Sequence, residues 1–471
     1  MRTEKKFTGY WNFNSDTPTI AGTLFVGNDI TIEIVEFNDK SYYTHLTIDG
    51  LKGVALDEKN ETFFFELYDL SFLQSHISNM GVQSYTFSVS YLVFSKSISF
   101  QNRNDRILSV SEISICNPYL NGWSCSKFDI HDYESTGKRI DYHFEQPSSF
   151  VLSELDDCWV SVFISNSVKL IPEKYFHNIL QPFVTIKFNE PTELKDSFPI
   201  ISKIENLLSL FMDTPFVNEC LYFNLGNVRC VCIQNIKIKH FNFRPIPDEN
   251  ARFTSVIQDV MDNNVVRHWI DLYKEEPHAL SLFFNTIYNE ELSDELQIIC
   301  YASVLEELTK RYYSSDELIP QTRKNKLILH IIDILKNDQH LKEANDLKTG
   351  YIDKGDYFGV RLLNLLQIHQ DIWEQIEIEE FAKKAALTRN FLVHRQISEN
   401  QEPYLFRPNE YHKVAKTLRY IIAGTLLREL GFLWKDDIIR VLCYIWPQPF
   451  KDEQFTWLKP PQHDQMYYNN E

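Results

Sequence analysis

Near residue 245 the chain changes its rhythm. Up to about Phe243 apolar and polar residues alternate in short runs, whereas beyond Arg244-Pro245-Ile246-Pro247 apolar residues return at the helical interval. Side chains that alternate cover a pleated sheet, and side chains that recur every third or fourth residue cover one stripe of a helix, so the two halves cannot share one architecture. With 471 residues the chain also exceeds what a single hydrophobic core usually supports. We therefore expect an α+β multidomain protein, with a β-rich, sandwich-like N-terminal domain over 1–245. Connecting helices over 246–292, an all-α helical bundle over 293–450 and a tail over 451–471 follow it.

The first half reads as short β segments: GTLFVG, DITIEIVEF, ETFFFELYDL, YTFSVSYLVF, ILSVSEISIC, CWVSVFISNSV, FVTIKF, CLYFNL and VCIQNIKIKHF. Turn signals at Asn28-Asp29, Asp49-Gly50 and Asn121-Gly122 punctuate them, and a β-sandwich or a related multi-stranded sheet fits this pattern. One stretch, from about Glu193 to Met212, has helical spacing instead and predicts a helix. After the boundary, helices are expected over 253–273, 276–289, 293–313, 323–338, 356–369, 372–397, 408–431 and 434–443. Ser293 and Pro408 stand at helix starts.

Phe and Tyr are abundant, at 34 and 24, and Trp11, Trp123 and Trp159 are expected to be core residues of the β half rather than a ligand groove. The formal net charge of -18 excludes a protein that coats nucleic acid by bulk attraction, so any RNA contact must be local. Eight scattered cysteines in a large chain do not predict a disulfide framework. Cys230 and Cys232 are expected as buried thiols on opposite faces of a strand, because no second Cys/His pair stands at zinc spacing. MRTEKKFTGYW has no apolar stretch behind it to serve as a signal peptide, and no run reaches membrane-spanning length, which points to a cytoplasmic protein without membrane partners.

The chemistry concentrates in IEEFAKKAALTRNFLVHRQIS, over Ile378 to Ser398. Ile378, Phe381, Ala385 and Leu392 form the expected packed side of a helix, while Lys383, Lys384, Arg389, His394 and Arg395 gather with no acidic residue between Glu380 and Glu399. In an acidic chain this is a local phosphate-binding surface. Asn390 and His394, four residues apart, share a face, and Arg389 leaves the helix about 140° from His394, so its long side chain must bend toward them. Metal-independent RNA cleavage needs a base for the 2'-hydroxyl, an acid for the 5'-oxygen and a cation for the charge that builds on phosphorus. Histidine titrates near neutrality, and arginine offers a planar charged fork matched to phosphate oxygens. One histidine does not readily perform both proton transfers, so a symmetric pair of chains would make a more complete site. Comparable Arg-to-His spacings at Arg323–His330 and Arg407–His412 lie at expected helix starts, where a capping or linker role fits better.

The run Arg389-Asn390-Phe391-Leu392-Val393-His394 resembles the Arg-Asn, variable, His signature of HEPN domains, many of which are metal-independent endoribonucleases. The whole chain resembles the ApeA family, in which a HEPN domain follows a β-rich domain. Gly9-Tyr10-Trp11 leading into Gly22-Thr23-Leu24 is similar to the opening of that domain. Ala302 to Leu308 is similar to an early HEPN helix that carries a Leu-Glu pair, which makes Glu306 an accessory site residue in competition with Glu307, or alternatively an exposed partner of Lys310. The resemblance implies an antiphage RNase that cuts RNA such as tRNA. It also implies a homodimer formed through the HEPN domain, no cofactor, and an N-terminal domain that meets a phage protein trigger. The alternative is a non-catalytic HEPN module for dimerisation or nucleotide binding, with a β domain that recognises a protein or glycan.

Overall fold

The described residues of this computed structural model are 5–12, 19–27, 29–36, 47–77, 83–96, 108–115, 150–170, 176–212, 215–216, 220–225, 228–234, 260, 264–289, 291–312, 323–337, 340–347, 358–368, 375–395 and 405–431. The chain divides into two compact units, Met1–Ser209 with Thr214–Arg267, and Leu210–Asp213 with His268–Glu471.

The first unit is built on strands β1 (Lys5–Asn12), β2 (Ile20–Val26), β3 (Ile30–Glu36), β4 (Thr47–Leu56), β5 (Thr62–Ile77) and β6 (Gln83–Ser95). Each is antiparallel to its neighbour in the order β3-β2-β1-β4-β5-β6, and β3 pairs in turn with β6, from Thr31 opposite Ser88 to Glu36 opposite Gln83. The expected multi-stranded sheet therefore closes on itself into a six-stranded barrel, which removes both of its edges. Beyond the closure, β6 continues and pairs through Tyr91–Phe94 with β12 (Val228–Gln234). From there the sheet extends through β11 (Leu221–Leu225), β7 (Ser109–Ile115), β10 (Phe176–Glu193), β9 (Cys158–Leu170) and β8 (Phe150–Glu154).

Alternation fills the barrel: Leu24, Ile32, Ile34, Leu51, Phe65, Leu67, Phe87 and Trp11 are all buried in one cluster. Trp11 dictates its surroundings. Its indole lies against the backbone of Gly53 on the paired strand β4, where a Cβ would stand 2.2 Å from Cε3. Gly9 is as constrained, since a Cβ there would approach the Val54 carbonyl to 2.1 Å. On the outer face, Tyr68 and Tyr91 stack at 4.6 Å across β5 and β6, and Phe198 meets Tyr91 edge-on from helix α1 (Leu194–Met212), the helix expected from the spacing. Burial raises both tyrosine hydroxyls well above their ordinary 10.0, with Glu66 adding to the effect at Tyr68 and Asp69 at Tyr91.

Four expectations for this half need correction. Asp49-Gly50 is not a turn but lies inside β4, because the long strand β5 supplies a continuous partner and Gly50 pairs with Tyr68. Cys230 and Cys232 share one face, as residues two apart in a strand must, and both are fully buried; burial pushes the Cys232 thiol upward. Trp159 is 44% exposed rather than core, because alternation sets it with its cross-strand neighbours Glu154 and Lys187 on the open face of the sheet. Strands β1, β4 and β8 were not among the expected segments. Trp123, Asn121-Gly122, the 434–443 helix and the 451–471 tail lie outside the described residues.

Helices follow: α2 (Val265–Glu275), α3 (Pro277–Tyr288), α4 (Asp294–Tyr312), α5 (Arg323–Asn337), α6 (Leu341–Leu347), α7 (Phe358–Ile368), α8 (Gln375–His394) and α9 (Tyr411–Glu429). All but α6 overlap an expected helix, but the one expected over 253–273 is interrupted at Asn264, a turn residue in the left-handed region (φ 52°), so that α2 starts only at Val265. In the second unit α4 is central, packing against α3, α7, α8 and α9, while α7 and α8 pack on each other. Ser293 caps α4 by accepting a 3.4 Å hydrogen bond from the Leu296 amide. A 3-10 turn, Pro408–Glu410, leads into α9. Among the described residues no helix is long and apolar enough to cross a membrane.

Candidate functional site

Helix α8 carries the Arg-Asn…His run, and its rotation is fixed from its packed side. Phe381, Ala382, Ala385, Thr388 and Leu392 are buried, an interval of three or four residues that turns one stripe inward. The Ile378 side chain lies outside the described ones. Thr388 adds a polar lock, because its hydroxyl accepts a 2.9 Å hydrogen bond from the amide of Phe406, whose ring packs on Phe381 at 5.8 Å. With Thr388 pointing inward, Arg389 leaves the helix sideways, toward α4 and α7.

There it meets Glu306. One terminal nitrogen of Arg389 donates to Glu306 Oε2 at 3.1 Å and the other to Asn390 Oδ1 at 3.0 Å. The second oxygen of Glu306 faces Arg361 of α7, whose terminal nitrogen is 3.8 Å away. Glu307, the competing glutamate, instead pairs with Lys310 at 2.8 Å. The structure thus places Glu306 beside Arg389 and leaves the partnership with Lys310 to its neighbour, since adjacent helical residues point about 100° apart. A carboxylate held between two guanidinium groups keeps the arginine forks oriented without removing their charge.

The other basic residues are disposed differently. Lys384 pairs with Glu380 at 2.8 Å and sits 5.9 Å over the Phe406 ring. Arg395 closes α8 in a left-handed conformation, φ 53°, with its guanidinium 3.7 Å from Glu295 and over the Phe391 ring. Lys383 and His394 are exposed. Among the described residues, no hydrogen bond or ion pair ties His394 to Arg389, Asn390 or Glu306, so Arg389, Asn390 and Glu306 are brought together while the imidazole, one turn beyond Asn390, stands open to solvent. Near the end of α8 the Tyr411 hydroxyl is raised above its ordinary value, first by burial and then by Glu295, with Arg395 opposing.

Of the other Arg-to-His spacings, Arg407 caps the 3-10 turn, its amide donating to Glu410 at 2.7 Å, and His412 pairs with Asp294 at 3.1 Å. No group of three or more His, Cys, Asp or Glu side chains that could hold a metal occurs among the described residues. Arg361 was missed from the sequence. The available signal was one cation in FGVRLLNLLQI, an otherwise uncharged helix.

A barrel-based β unit followed by a helical unit is the architecture of a two-part HEPN protein. The chain matches the family models for ApeA N-terminal domain 1 over residues 6–253 and for Apea-like HEPN over residues 299–433. It belongs to the ApeA-like family. No curated protein and no solved structure matches it.

Proposed function

We propose that this protein is a metal-independent endoribonuclease of antiphage defence, in which Arg389 and His394 act on an RNA phosphate. The observation that carries this reading is the alignment of one helix against Glu306: Arg389 donates to both that carboxylate and Asn390, while His394 one turn beyond Asn390 is solvent-accessible. Arg389 supplies a charged fork for the non-bridging oxygens as charge builds on phosphorus. His394 takes the proton of the 2'-hydroxyl, which attacks the adjacent phosphorus and releases the 5'-oxygen, leaving a 2',3'-cyclic phosphate and a 5'-hydroxyl. Asn390 and Glu306 position Arg389, and exposed Lys383, with Lys384 and Arg395, extends the basic surface along the RNA backbone. A second copy of the chain, docked through the HEPN unit, supplies the other proton-transfer histidine. Structured RNA such as tRNA is the proposed substrate class, and the β unit is the proposed seat of a phage protein trigger, both carried by membership of the family.

The test is incubation of the purified protein with total RNA in excess chelator, with and without phage lysate. We expect discrete fragments from the wild type and none from His394→Ala, whose melting temperature is unchanged. Full activity of His394→Ala, or a strict requirement for a divalent metal, removes the proposal.

A further inference from the structure

Glu306 is shared by two arginines, and one of them is poorly satisfied. Arg389 holds it at hydrogen-bonding distance, whereas Arg361 reaches only 3.8 Å from the second oxygen. Lys310, Lys384 and Arg395 each have a different carboxylate of their own, Glu307, Glu380 and Glu295. The Nε atoms of both arginines are buried with no hydrogen-bond partner among the described residues, so the difference lies at the terminal nitrogens, where Arg389 is bonded and Arg361 is not within bonding distance of Glu306. A mostly buried guanidinium without a full set of acceptors is costly, and an anion that reaches Arg361 supplies the acceptors that Glu306 at 3.8 Å does not. The three side chains stay 17 to 21% exposed, so an anion can reach them from solvent.

We propose that Arg361 is a second phosphate-binding residue of the same site, taking an RNA backbone phosphate while Arg389 serves the phosphate that reacts. This rests on the nuclease reading above. Its chemistry is that of a fork presented to a phosphodiester, with spare N–H donors and one competing carboxylate that holds the guanidinium in place until RNA arrives. Because Arg361 comes from α7 and the reacting groups from α8, two helices would grip successive parts of the backbone.

The experiment measures binding rather than cleavage. Affinity of the full-length His394→Ala protein for a fluorescent single-stranded RNA is followed across salt concentrations, alone and combined with Arg361→Gln or Arg361→Lys, and folding is checked by circular dichroism. One phosphate contact contributes about 0.7 to the slope of log affinity against log salt for a single strand. We expect Arg361→Gln to lower the slope by about that amount and Arg361→Lys to retain it. An unchanged slope in a folded Arg361→Gln protein, or equal loss in the Gln and Lys variants, overturns the assignment and leaves the nuclease reading standing. No RNA binding by the His394→Ala parent overturns both.

Discussion

Replacing Glu306 by glutamine should loosen Arg389 more than Arg361, and the difference can be worked from two distances. At 3.1 Å the Glu306–Arg389 pair is a charge-assisted hydrogen bond, and at 3.8 Å the Glu306–Arg361 pair is a Coulombic contact without one. With an effective dielectric of about 20 the bare attractions are close, roughly 5 and 4 kcal/mol, and solvation of partly exposed groups offsets most of each. What separates them is the hydrogen bond, worth about 1.5–3 kcal/mol when a charged group is involved. A double-mutant cycle between Glu306→Gln and Arg389→Gln should therefore give a coupling near 2 kcal/mol, and the cycle with Arg361→Gln less than about 1 kcal/mol. Denaturant unfolding followed by circular dichroism measures both. Equal couplings, or none with Arg389, would mean that Glu306 does not hold the arginine.

Further expectations follow from the β unit. Gly53→Ala puts a methyl group 2.2 Å from the ring of fully buried Trp11 and should cost about 1–3 kcal/mol or more of stability, read as a lowered denaturant midpoint; a variant as stable as the wild type would refute the packing account. The raised Tyr68, Tyr91, Cys158 and Cys232 groups, with Cys158 pushed up to about 11, favour their neutral forms in the folded chain. Stability should therefore be intact below about pH 9 and fall as pH climbs from there, by up to about 1.4 kcal/mol per pH unit for each group, as the unfolded chain ionises first. A midpoint that stays flat from pH 8 to pH 11 in a denaturant titration would contradict this.

The change from sheet to helix was legible because side-chain period is a local property, and helices α1, α3, α4 and α9 lie where spacing and caps put them. What escaped was what depends on partners distant in sequence. Strand β4, TIDGLKGVAL, carries Asp49-Gly50, which reads as a turn; in the barrel Gly50 pairs with Tyr68, and Gly53 is required by Trp11. Closure of the barrel depends on β3 meeting β6, a pairing no local pattern records. At the site, the Arg-Asn…His run was visible as a motif, and the choice between Glu306 and Glu307 needed the rotation of α4. Arg361 remained hidden because a lone arginine on an apolar helix has no spacing to betray it.

In the proposed mechanism Arg389 and His394 on α8 cut RNA through its own 2'-hydroxyl. Mapping the ends of the RNA fragments made in chelator tests this most directly. The expected products carry 5'-hydroxyl ends that polynucleotide kinase labels without prior phosphatase, facing 2',3'-cyclic phosphates. Fragments with 5'-phosphate ends, formed only when a divalent metal is restored, would contradict it.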